Sequence, residues 1–164
     1  MKAEKCKSSS RGTNNIIASV SEWKSISNAL MEVFGSGSHI IMRQIGVGIG
    51  REYAKYIKHQ AEEKGVILRF KEVLFLFSKL FAEKGWGNMI IKDMNEIKLT
   101  GTIEISSKPY EISDLKYLIH GILTGFMEAF LGRRIFIKEI SQNQKTLKIQ
   151  FKACSFHEGG DSLY

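Results

Sequence analysis

Residues 117–153, YLIHGILTGFMEAFLGRRIFIKEISQNQKTLKIQFKA, decide how this chain is read. The first half is apolar almost all round and carries Gly121 and Gly125. A helix with so little polar surface is mostly buried, and the pattern predicts one from about Asp114 to Leu131. The second half switches period. Leu147, Ile149, Phe151 and Ala153 alternate with Lys148, Gln150 and Lys152, which marks a strand with one buried and one wet face. Ile135, Ile137 and Glu139 share one face of a preceding strand, and Ser141-Gln142-Asn143-Gln144 is short enough to close a hairpin.

The same grammar extends toward the N-terminus. Ile97, Leu99, Gly101, Ile103 and Ile105 alternate with Lys98, Thr100, Thr102 and Glu104, and Met94-Asn95-Glu96 supplies a second hairpin turn. Before it, Gly85-Trp86-Gly87 breaks a helix of about Arg69–Lys84, whose Phe70, Val73, Leu74, Phe77, Leu80 and Phe81 recur on one face. Phe75 and Leu76 widen that arc, as expected for a helix between two neighbours or for the wall of a cavity. A first helix begins at Ser19, which forms a capping box with Glu22, and stops at Gly35. A second runs from Ser38 to about Glu63. Two hairpins separated by a long helix predict an α+β fold of two layers: an antiparallel four-stranded sheet with helices packed mainly on one face.

Gly46, Gly50 and Ala54 are spaced by four in the second helix. Each interior glycine costs roughly 1 kcal/mol relative to alanine, so the stripe needs a reason. Either another helix approaches closely, or a ligand or partner subunit rests on the bare backbone. GVGIGR is not a dinucleotide fingerprint, because its third glycine comes one residue early and no strand precedes it.

Bulk properties narrow the function. At 164 residues, 43% hydrophobic and 25% charged, the chain reads as one ligand-binding domain over residues 16–154, between a basic tail (1–15) and a flexible tail (155–164). Cys6 and Cys154 form no disulfide framework, and no apolar run reaches membrane-span length, so a cytoplasmic setting is expected. The net charge of +7 is spread along the chain, which reads as a solvated surface and not as a nucleic-acid site.

Few residues carry chemistry. Lys116, His120, Thr124 and Glu128 form one stripe on the last helix, for which solvent is the default destination. Glu139 points toward the apolar layer, so its carboxylate needs a partner. Trp86 reads as an aromatic at a pocket mouth or as a plug beneath a loop. His39, His59, His120, His157 and both cysteines lack metal-ligand spacing, and no nucleophile elbow, P-loop or paired-carboxylate motif is present. A non-catalytic protein is expected.

Taken in order, Ile45-Gly46…Gly50-Arg51, Gly85-Trp86-Gly87, His120-Gly121…Gly125 and Ile137-Lys138-Glu139 before a hairpin resemble the 4-vinyl-reductase-type domain. That family is related to the Golgi transport-particle subunits and, more distantly, to haem–nitric-oxide-binding domains. The resemblance spans roughly residues 33–153. It implies an α+β homodimer with an internal pocket for a hydrophobic or aromatic small molecule, serving as a sensor or carrier. The alternative is an assembly module, like the trafficking subunits, with a vestigial pocket. Carried over, the ligand-binding candidates are Trp86, Tyr117, His120, Gly121, Phe126, Ile137 and Glu139. Many members hold zinc with a glutamate and three cysteines. Glu139 matches the glutamate, whereas the cysteine positions fall on Lys116, Gln142 and Gln150. The zinc site is therefore expected to be lost, and no haem signature is present.

Overall fold

The computed structural model describes residues 19–106, 112–143 and 145–154; both expected tails lie outside them. The elements are α1 (Val20–Phe34), α2 (Ser38–Glu63), α3 (Phe70–Glu83), β1 (Asn88–Asn95), β2 (Thr100–Ser106), α4 (Lys116–Leu131), β3 (Ile135–Gln142) and β4 (Thr146–Ala153), with single 3-10 turns before α2 and α4.

Local chemistry sets the helix ends. Ser19 Oγ accepts from Glu22 N while the Glu22 carboxylate accepts from Ser19 N, completing the capping box of α1. Those bonds hold the Glu22 carboxyl below its usual pKa. Gly35 ends α1 at φ 54°, a left-handed value that favours glycine.

The sheet is antiparallel throughout, in the order β1-β2-β4-β3. The two hairpins meet through β2 and β4, whose pairing runs without a break from Thr100–Lys152 to Ser106–Thr146. Met89, Ile103, Ile105, Ile135, Leu147, Ile149, Phe151 and Ala153 form its buried face, and the helices cover that face. The six inward residues expected of α3 are the six it buries. Phe75 and Leu76 are exposed, so they belong neither to a second helix contact nor to a cavity wall.

Three expectations are corrected. The β1–β2 turn is Glu96–Leu99 instead of Met94–Glu96, because Asp93 and Leu99 adopt positive φ and Asn95 Oδ1 accepts from Lys98 N. Ile97 consequently sits in the turn, 96% exposed, and not on the buried face. The second turn starts at Asn143, whose Oδ1 accepts from Lys145 N and Thr146 N, so Ser141 and Gln142 are strand residues.

The glycine stripe also has its explanation. A Cβ at Gly46 would lie 2.2 Å from Leu118 O, and one at Gly50 would lie 2.1 Å from Ile122 O. Reciprocally, a Cβ at Gly121 or Gly125 would meet Arg43 O or Val47 O at 2.1 Å. Glycines of α2 and α4 therefore interlock backbone to backbone within one chain, and the stripe is neither a ligand seat nor a dimer surface.

Candidate functional site

Helix α4 has two very different sides. Toward α2 lies the glycine contact. Toward β3 lies the polar stripe, which does not face solvent as expected. Glu128 Oε1 accepts from Ile135 N at 3.3 Å at one end. At the other end Lys116 Nζ lies 3.6 Å from Glu139 Oε2 and donates to Gln142 Oε1 at 3.2 Å. Between them Thr124 is buried and donates to His120 O at 2.8 Å. The stripe thus runs antiparallel along β3, an edge strand of the sheet.

A bulge in β3 assembles the Lys116 end. Register passes from Glu139–Ile149 to Ser141–Lys148, leaving Ile140 as the extra residue. Strict alternation would put positions 139 and 142 on opposite faces. The bulge instead opposes Gln142 to Leu147 and Glu139 to Ile149, both inward partners. Gln150 pairs with Lys138 and Thr102 on the outer face, away from this group.

His120 occupies the middle of the seam. Its Nε2 is sealed from solvent and has no hydrogen-bond partner among the described residues. Burial pushes the imidazole below its usual pKa; Glu139 opposes that shift, while Arg43 and Lys116 add to it. One helical turn toward the N-terminus of α4, Tyr117 stacks on His39 with ring centroids 3.9 Å apart, and Lys116 Nζ sits 5.2 Å from the Tyr117 centroid.

The seven sequence candidates therefore divide. Tyr117, His120, Ile137 and Glu139 border the half-buried seam. Trp86, Phe126 and Gly121 lie in the packed interior. Trp86 is 1% exposed, its Nε1 donates to Tyr53 Oη at 3.0 Å, and its ring lies against Trp23 and Phe81. Phe126 stacks on Phe77 with centroids 3.7 Å apart, and Gly121 serves the α2 contact. An open recess on α1, lined by Ser21, Glu22, Ser25 and Ile26, involves none of the seven.

Sequence reasoning missed His39 and Arg43. Their signal is helical spacing, since His39, Arg43, Gly46 and Gly50 follow one face of α2 toward α4. For zinc, Lys116 and Gln142 supply an ammonium and an amide where soft donors are needed, so the set does not fit the metal. Among the described residues, no three of His, Cys, Asp and Glu gather as metal ligands. No described helix is long and apolar enough to cross a membrane.

Helices on one face of an open β1-β2-β4-β3 antiparallel sheet define the class of fold. Solved structures share it. The phenol-responsive sensory domain of the transcription activator PoxR, with phenol, matches at TM-score 0.63 and 15% identity, over 80% of this chain and 72% of that one. A trafficking protein particle complex subunit 3 from Naegleria fowleri, covalently bound to palmitic acid, matches at TM-score 0.59 and 14% identity, over 81% and 91%. An oxygen-binding H-NOX domain related to soluble guanylate cyclases matches at TM-score 0.54 and 17% identity, over 85% and 74%. At these identities the likeness is one of fold. No protein-family model matches the chain, and no curated protein matches it.

Proposed function

We propose that this chain is a non-catalytic small-molecule-binding domain of the 4-vinyl-reductase type, a sensor or carrier for a hydrophobic or aromatic ligand. The observation that carries the reading is His120. A sealed imidazole nitrogen without a partner, on a helix that buries Leu118, Ile119 and residues 121–127, is a polar anchor for a guest. The fold relatives add support, since the phenol and palmitic acid named for two of them are small molecules with apolar bodies.

Native mass spectrometry against the denatured mass tests this. A retained adduct of small-molecule mass is expected after gentle extraction. A bare chain under every extraction condition would remove the reading. Zinc has no part in the proposal, and elemental analysis of protein purified without a metal-binding tag should find less than one zinc per chain.

A second reading, assembly through protein contacts, is favoured by one region. Helix α1 buries none of its residues, and Val33 (73% exposed), Phe34 (54%) and Ile40 (70%) crowd the α1–α2 corner. Homodimerisation through that corner is part of the proposal. Sedimentation of a Val33→Glu/Ile40→Glu variant should give monomers; an unchanged sedimentation coefficient would place any dimer elsewhere.

A further inference from the structure

We propose that the seam between α4 and β3 receives the carboxylate of an aryl or acyl organic acid, with His120 Nε2 as hydrogen-bond donor and Arg43 and Lys116 as counter-charges. This rests on the ligand-binding reading and names its ligand class. Three observations converge on an anion.

Local charge comes first. At the N-terminal end of α4 the seam sets Lys116 against Glu139 on β3, with Arg43 of α2 nearby, while Glu128 lies at the far end and accepts from Ile135 N. Lys116 stands 3.6 Å from that carboxylate, whereas a direct charged hydrogen bond is about 2.7–2.9 Å. No ion pair engages Arg43 among the described residues. The half-buried Lys116 is thus loosely paired, and the exposed Arg43 adds a second positive charge at the rim of the seam.

The second observation is the bare His120 nitrogen. A neutral imidazole near Glu139, Arg43 and Lys116 offers an N–H to a ligand oxygen, and a bound carboxylate would favour its protonation by adding negative charge beside it. The third is shape. The stacked rings of His39 and Tyr117 lie one helical turn before Arg43 and His120 on their respective helices, so aromatic surface adjoins an apolar body held by its carboxylate.

Titration calorimetry on the full chain tests the proposal, comparing benzoate with benzyl alcohol and octanoate with 1-octanol. The acids should bind at least about tenfold more tightly than the matching alcohols. Their affinity should rise from about pH 8 to about pH 6, the range in which a histidine titrates. The charged groups that act on His120 are Glu139 from β3, Arg43 from α2 and Lys116 from its own helix, and the stacked His39 and Tyr117 rings lie one helical turn away. His120→Gln should abolish the pH dependence, His39→Gln should leave it, and Arg43→Gln should weaken the acids alone. Circular dichroism and melting must show each variant folded.

Alcohols binding as tightly as acids, or acid affinity unchanged in folded Arg43→Gln and His120→Gln, would overturn the anion preference while leaving a ligand-binding domain. If neither class binds and native mass spectrometry finds no adduct, both readings fall together.

Discussion

The two sides of α4 make the instructive contrast in this molecule. Toward α2, glycines bring backbone against backbone with no room for a methyl group. Toward β3, the same helix carries Lys116, His120, Thr124 and Glu128, which are hydrogen-bonded at both ends of the stripe but leave one nitrogen bare in the middle. The first side is complete without any further molecule. The second leaves His120 Nε2 unpaired among the described residues, and the proposed ligand site rests on that nitrogen.

The largest effect is expected on the closed side. Gly50→Leu drives a side chain into Ile122 O and Phe126 N, and should destabilise by more than about 4 kcal/mol. Circular dichroism should then show an unfolded or aggregated chain. A folded variant that merely loses a dimer would mean the glycines serve a partner instead.

Next comes the aromatic layer beneath. Phe126→Ala removes the ring stacked on Phe77 and should cost about 3–5 kcal/mol in urea unfolding. A cost below about 1 kcal/mol would mean the interior is loosely filled, with room for a guest between α3 and α4.

The smallest effect belongs to the seam, and its sign follows from His120. Its folded pKa is depressed below the ordinary 6.5, chiefly by burial, so the fold favours the neutral ring. The resulting stability is present above about pH 6.5 and is lost as pH falls through the folded value. His120→Gln should flatten that acid-side decline in urea midpoints. An equally steep decline in the variant would assign the proton uptake to another group.

Much of the architecture was legible from periodicity. Ser38–Glu63 and the inward face of α3 follow directly from spacing, because a helix that buries one stripe writes that stripe into its sequence. Strands β2, β3 and β4 follow from alternation in the same way, whereas NMIIKDMN of β1 carries no such pattern. The seam was only half legible. Lys116, His120, Thr124 and Glu128 stand out as a stripe, but what they face lies in β3, and no local pattern says which strand a helix will lie along. The bulge at Ile140 was invisible for a sharper reason. Period-two reading assumes unbroken pairing, and a single unpaired residue reverses the face of everything after it. The two outer turns were displaced by like causes, Asp93 and Leu99 at positive φ and the Asn143 side chain closing its own turn.

The bulges have a further consequence. Among the described strands β1 and β3 are the edges, and each carries a break in register, between Lys92 and Asn95 and between Glu139 and Ser141, while the inner β2–β4 pairing has none. An edge kinked in this way presents a poor template for a strand from another molecule. The irregularity that swings Gln142 inward therefore also protects the chain against sheet-to-sheet polymerisation. Deleting Ile140 to straighten β3 should raise the chain's tendency to add strands at that edge, read as increased thioflavin-T-positive aggregation relative to the parent.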